Sequence, residues 1–383
     1  MKTRTYLVLS MIATLAAACG AAPTDGDAQE GNVSEQDITK QLSVKLARTD
    51  LVSDEAGKAA TTDANLKNAW GIAFNPTGPA WVSNAGSSTT TVYDAAGKLL
   101  LTVAVPAAAS DTEGSSPTGQ VFNGSTDFAG DKFIIANEHG TIIGWQPTGG
   151  AKTRADRTTA GSVYKGLAIA GGHIFATDFH NRAVDVFDAN YTKVASSGFV
   201  DPTIPADYAP FNIQELGGKL YVTFAQQDAD KHDDQQGPGK GFVSVFETSG
   251  KLIGRIASRG TLNAPWGLAL APASFGPKLA GKLLVGNFGD GAVQAFDVAI
   301  SKNPSGGNGS SYGYGYGHPA PVTASSTVHA TYLGSLLGAN GQKLAIDGLW
   351  ALAVSPQGEL FFTAGPGGEA HGAFGKLSLA SSH

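Results

Sequence analysis

The chain has 383 residues, 51 of them glycine, with 42% hydrophobic residues, only 15% charged residues and a formal net charge of −6. That length holds two ordinary domains or one large all-β domain, and abundant glycine with little charge suits short strands and tight turns better than helices. Acidic residues outnumber basic ones 32 to 26 and no Lys/Arg cluster stands out, which argues against a phosphate-tracking nucleic-acid face.

At the N-terminus Lys2 and Arg4 precede an apolar run, 6–18, interrupted only by Ser10 and Thr14. Ala16, Ala17 and Ala18 then lead into Cys19. Residues 1–18 read as a secretory signal, too short for a spanning helix. Cys19 is the one cysteine, so no intrachain disulfide can form. Its placement resembles a bacterial lipobox, whose cysteine is lipidated after cleavage, although Leu15 sits one place further upstream than in the commonest pattern. With Gly20 rather than Asp next, the resemblance implies an outer-membrane lipoprotein. The alternative is a secreted or periplasmic protein with an incidental Cys19. Residues 19–41 are polar and acidic (Asp25, Asp27, Glu30, Glu35, Asp37) and read as a flexible tether.

From residue 42 onward one phrase recurs. Trp70-Gly71-Ile72-Ala73-Phe74 returns as Trp266-Gly267-Leu268-Ala269-Leu270 and as Trp350-Ala351-Leu352-Ala353-Val354. Weaker copies begin at Gly119, Gly166 and Asn212. A period of roughly 40–50 residues signals a propeller or solenoid. Each copy opens a unit of short strands separated by Gly/Pro/Asn turns; in the first unit these are 70–74, 80–83, 91–94 and 98–103. An acid follows the third-strand aromatic in several units (Asp94, Asp188, Glu247, Asp297), which is expected turn chemistry. Six units predict one all-β, six-bladed β-propeller over 42–383. The last unit has only three strands, so residues 42–52 are expected to pair with it, closing the ring and covering its edge. A Gly/Ser/Tyr-rich insertion, 302–326, includes Tyr312, Tyr314, Tyr316 and His318 and reads as a surface loop.

In a propeller, the loops entering strand one and those joining strands two and three share one face. They carry Asn68, Asn84, Asn137, Glu138, His139, Lys165, Asp178, His180, Asn181, Asn212, Asn287 and Asp347. This amide- and carboxylate-rich rim suits a polar ligand or a divalent cation, since hard cations take oxygen ligands; the plainer reading is that these groups cap strand ends. The densest charged loop, in the fourth unit, holds Asp228, Asp230, Lys231, His232, Asp233 and Asp234. Its alternating carboxylates resemble a calcium loop without the EF-hand glycine and terminal glutamate, and His232 would admit a transition metal; a solvated acidic loop is the alternative. Trp70, Trp266 and Trp350 are expected to pack between blades. The sequence has no nucleophile elbow, zinc-protease, P-loop or dinucleotide motif in the required context.

The strings 66–71, 163–168, 208–213, 227–234, 263–268, 286–291, 346–350 and 361–365 resemble a family of secreted bacterial six-bladed propellers without an assigned activity. More distantly, the chain is similar to NHL-repeat and gluconolactonase-like propellers. That similarity implies a channel metal held by a Glu and several Asn/Asp, for which Glu138, Asn212, Asn287 and Asp347 are the right types. Three readings follow. The first is a surface-anchored lipoprotein that binds a polar small molecule, a glycan or an envelope protein, touching the membrane only through its lipid. The second is a metal-dependent lactonase- or esterase-like hydrolase using a cation such as calcium. The third is a structural envelope protein.

Overall fold

The computed structural model describes residues 40–109, 114–302 and 326–381. The signal, Cys19, nearly all of the tether and the Tyr-Gly stretch lie outside the described residues. The chain enters on a long strand, β1 (Gln41–Ser53), with the two-residue β2 (Thr61–Thr62) parallel to its end. Four four-stranded antiparallel sheets follow in chain order among the described residues. The first is β3 (Ala69–Phe74), β4 (Ala80–Asn84), β5 (Thr89–Tyr93) and β6 (Leu99–Ala104). The second is β7 (Pro117–Phe122), β8 (Phe133–Asn137), β9 (Thr141–Gln146) and β10 (Gly150–Asp156). The third is β11 (Tyr164–Ala170), β12 (His173–Asp178), β13 (Ala183–Phe187) and the short β14 (Lys193–Val194). The fourth is β15 (Tyr208–Leu216), β16 (Lys219–Gln226), β17 (Phe242–Phe246) and β18 (Leu252–Ser258).

The remaining strands are β19 (Pro265–Leu270), β20 (Leu283–Asn287), β21 (Val293–Lys302), β22 (Ser326–Gly338), β23 (Leu349–Val354), β24 (Leu360–Ala364) and β25 (Ala373–Leu379). With β1 and β2 they form a nine-stranded sheet ordered β19-β20-β21-β22-β1-β25-β24-β23. As expected, β1 lies antiparallel to β25, with Leu46 opposite Leu379 and Ser53 opposite Ala373. Its other edge runs parallel to β22, which the sequence did not suggest. Each free edge of β1 is thereby covered where the two groups of strands meet.

The first strands of the repeating units, β3, β7, β11, β15, β19 and β23, touch one another in succession, and β23 returns to β3. The recurring phrase is explained by this ring. A Cβ on Gly71 would sit 2.4 Å from the Thr118 carbonyl oxygen, and one on Gly166 would sit 2.4 Å from Asn212 Oδ1. Glycine is used because neighbouring backbones meet there. Side chains then latch one sheet to the next. Thr118 Oγ1 donates to the Tyr164 carbonyl at 2.8 Å, Thr177 Oγ1 to that of Phe211 at 3.1 Å, and Asn212 Nδ2 to that of Trp266 at 2.7 Å. Thr363 Oγ1 does the same to Trp70.

The turn acids behave largely as expected: Asp94 Oδ1 accepts the amides of Ala96 and Lys98, and Asp188 Oδ1 those of Asn190 and Thr192. Asp297 does not follow the pattern. It lies within β21, which continues as a long hairpin with β22, and it pairs with Lys282 at 2.7 Å. No helix among the described residues is long and apolar enough to cross a membrane.

Candidate functional site

The six inner strands converge on an aromatic floor. Trp70 and Trp350 stack with ring centroids 3.6 Å apart, and Phe288 stacks on the other partner of that pair, Trp350, at 3.8 Å. Trp266 meets Trp70 and Trp350 edge-on at 5.9 and 6.0 Å, and Phe211 approaches Trp350 at 6.0 Å. All are buried within one apolar cluster. The tryptophans of the repeated phrase therefore pack, as the sequence suggested. They pack against one another across the ring, not only between adjacent sheets. Trp350 Nε1 donates to Asn68 Oδ1 at 2.8 Å, whereas the Nε1 atoms of Trp70 and Trp266 are buried without a hydrogen-bond partner.

Lys165 stands on this floor. It is the second residue of β11, and only 2% of its side chain is exposed. Its Nζ lies 5.3 Å from the Trp70 ring centroid and 6.0 Å from that of Phe179. Nζ donates to Glu138 Oε1, from the turn after β8, and to Asp233 Oδ1 at 3.1 Å, from the loop between β16 and β17. His232 Nδ1 contacts the same Asp233 oxygen at 3.0 Å. Glu369, from the turn between β24 and β25, accepts from Asn68 Nδ2 at 2.5 Å. With Asn68, which leads into β3, all five sheets of the described residues thus supply one cluster, which no local segment could assemble.

The cluster's electrostatics are mutual. Burial pulls the Lys165 ammonium down, but the charges and hydrogen bonds of Glu138 and Asp233 outweigh it and hold the group above the usual lysine range. Asp233 is held well below the usual carboxylate range, first by its hydrogen bond to His232 and then by Lys165, against the effect of burial. That hydrogen bond in turn raises His232. Burial pushes Asp234 up to about 7, with Glu369 adding repulsion and Lys165 opposing the rise. Burial also raises Glu369, despite the Asn68 amide.

Of the rim residues expected from sequence, Asn68, Glu138 and Lys165 enter the cluster. The others cap structure. Asn84 Nδ2 donates to Thr89 and Thr91, Asp178 accepts the Val163 and Asn181 amides, and Asn287 Nδ2 donates to the Thr261 carbonyl and to Asp290. Asn212 forms the inter-sheet latch described above, His180 gives its backbone carbonyl to Gln227, and Asp347 accepts the Gly367 amide. The acidic loop divides. Asp228 Oδ1 caps the His232 amide, and Asp230 is exposed. Among the described residues, the group able to offer converging metal ligands is Glu138, His232 and Asp233, whose ligand atoms lie within 4.8 Å of one another. Asp228, Asp230 and Asp234 are outside it. Glu369 was missed, although it lies in a strand-two to strand-three loop, the position class that pointed to the rim. Its Gly365-Pro366-Gly367-Gly368 lead reads as a plain turn.

Comparison with known proteins places this chain in a family. An uncharacterised protein of Acanthamoeba polyphaga mimivirus is 33% identical over 335 residues, covering 82% of this chain and 75% of its own. A second mimivirus protein, also uncharacterised, is 32% identical over 338 residues, covering 82% and 80%. The chain belongs to the family of these viral proteins. No family model matches the sequence. Among solved structures, a protein of unknown function from Bacteroides thetaiotaomicron superposes with a TM-score of 0.52 at 9% identity, covering 87% of this chain and 76% of that one. At that identity the likeness concerns the fold, which in this chain is all-β and propeller-like.

Proposed function

We propose that the chain is a six-bladed propeller, closed by β1, that binds a polar ligand at its ionisable end and is tethered to the cell envelope through Cys19. In this reading the nine-stranded sheet is two blades, β19–β22 and β23–β25 plus β1, bridged by the β1–β22 pairing. The observation that carries the binding reading is Lys165. A buried ammonium ringed by carboxylates from separate sheets, over a sealed aromatic floor, is costly to build for stability alone. Perturbed ionisable groups gathered in one place mark a candidate polar binding site.

The test is a thermal-shift screen of polar small molecules, oligosaccharides and divalent salts on wild-type protein and on Glu138→Gln and Asp233→Asn. Stabilisation that disappears in the variants supports the reading; stabilisation that the variants retain contradicts it. Membrane fractionation of Cys19→Ser tests the tether, and undiminished membrane association would refute the lipid anchor.

A second reading, a metal-dependent hydrolase, is favoured by one observation, the convergence of Glu138, His232 and Asp233. There a divalent ion would polarise a lactone or ester carbonyl. Its test is metal content of the purified protein together with lactone and ester turnover. Turnover unaffected by chelation and by Glu138→Gln would refute it.

A further inference from the structure

A cavity of about 610 Å³ opens where the first residues of β1 lie beside the end of β25. The volume falls within the range of roughly 300–1,000 Å³ usual for small-ligand sites. The connection from β19 to β20, with its short helical turn Ala273–Phe275, packs against β25 and supplies more of the lining. The apolar part comes from Val44, Phe275, Pro277 and Leu379. Val44 and Phe275 belong to the buried core beneath, whereas Leu379, opposite Leu46 in the sheet, is 43% exposed. No lining residue is shared with the Lys165 cluster.

Charge in this corner is one-sided. The lining is drawn from four stretches, 40–49, 271–289, 333–346 and 376–381. None contains an Asp or Glu, although acids outnumber bases in the chain as a whole. Most of their basic residues have partners: Arg48 pairs with Asp50, Lys282 with Asp297, Lys343 with Asp290 and Lys376 with Glu359, and Lys40 Nζ donates to the Tyr332 carbonyl. Lys45 and Lys278 have neither an ion pair nor a side-chain hydrogen bond among the described residues, and these two line the cavity. Two cations in one cavity without a counter-charge repel each other, and the leucine beside them gains free energy by leaving water.

We infer that this cavity binds a small organic anion with an apolar tail, of the class of medium-chain carboxylates. The carboxylate pairs with the Lys45 and Lys278 ammonium groups, and the chain lies against Leu379, Phe275 and Val44. A carboxylate has two acceptor oxygens, so it can serve both lysines at once through charge-assisted hydrogen bonds. Inorganic phosphate would meet the charge but leave Leu379 in water, and an alcohol of the same chain length would do the reverse. The site is additional to the ionisable end and does not depend on it.

The experiment titrates the purified protein by calorimetry with hexanoate, octanoate, 1-octanol and inorganic phosphate, and measures its sedimentation with phosphatidylglycerol vesicles. Octanoate is expected to bind, and the alcohol and phosphate to bind at least roughly tenfold more weakly, as loss of a charge-assisted contact or of the buried chain requires. Octanoate should exceed hexanoate by roughly tenfold, the worth of two buried methylenes. The double variant Lys45→Gln/Lys278→Gln should weaken octanoate by roughly tenfold, and Leu379→Ser should flatten the dependence on chain length. Lys152→Gln, on β10, should change nothing. All four positions are exposed, so the folded state is not at risk, and the contrast between headgroups needs no variant. Equal binding of octanoate and octanol, octanoate binding indifferent to the double variant, or no octanoate binding overturns the inference. Vesicle binding that needs Lys45 and Lys278, without binding of free octanoate, also overturns it and assigns the two lysines to a lipid surface.

Discussion

The two ends of the inner-strand ring are made by the same six strands and differ in almost every physical respect. At the ends where the strands begin, polar side chains from five sheets meet over stacked tryptophans, and Lys165 is sealed among carboxylates. At the ends where they finish, the ring opens into a cavity of about 520 Å³ lined by residues such as Ile72, Val121, Leu167, Leu268 and Val354. Leu270, at the edge of that cavity, is 37% exposed. The difference comes from the connections. Strands two and three are joined by loops that reach over the first end, as 227–241 does. The second end receives the turns joining strands one and two, and the long ones, 123–132 and 271–282, contribute no residue to the cavity lining. One end is fixed by many mutually dependent contacts, while the other is left to solvent.

Substitutions should separate the ends by size of effect. Lys165→Met strands Glu138 and Asp233 without their cation and is expected to cost about 3–5 kcal/mol, measured by denaturant unfolding. A cost within error of zero would mean that the cluster is solvated and not sealed. Trp350→Ala removes the ring shared by Trp70, Trp266 and Phe288 along with the hydrogen bond to Asn68, and should also cost about 3–5 kcal/mol. Gly166→Ala forces a Cβ against Asn212 and should cost roughly 1–3 kcal/mol, testing the ring contact that both ends share.

The next effect is one of pH. Folded Asp234 titrates near 7, against 3.8 for an ordinary aspartate, with Lys165, Asp233 and Glu369 as its charged neighbours. Between those values the folded chain keeps a proton that the unfolded chain releases, so this group's contribution to stability falls as pH rises. Asp234→Asn should therefore gain melting temperature relative to wild type on going from about pH 5 to about pH 7.5. A difference that is flat with pH would place Asp234 in solvent. The smallest effect belongs to the open end, where Leu270→Ser should change stability by no more than about 0.5 kcal/mol.

Much of the fold was legible in the sequence because its signals are local or repeat. The Trp-Gly phrase marks each inner strand, and Asp94 and Asp188 announce their own turns through hydrogen bonds two and four residues away. The pairing of 42–52 with the last unit followed from a missing strand. The β1–β22 pairing was not legible, because it joins residues nearly 300 positions apart and has no sequence period. Within the candidate site, loop position in the repeat identified Asn68, Glu138 and Lys165, and charge density identified the acidic loop. It did not divide that loop, because the division depends on a hairpin in which the Asp228 amide donates to the Asp233 carbonyl. That turn leaves Asp228 capping backbone and sends Asp233 to Lys165. Glu369 was obscured by the glycine-rich turn that carries it.

The sequence by itself determined the repeating strand unit, the turn chemistry and the need for a closing strand, since each rests on neighbours in the chain or on periodicity. Only the tertiary structure decided which polar residues act together. Lys165 is one lysine among ordinary loop residues until ring closure brings Glu138, Asp233 and Glu369 around it from three other sheets and places the tryptophans beneath. Burial and charge pairing are properties of that convergence, and no segment of the chain carries them alone.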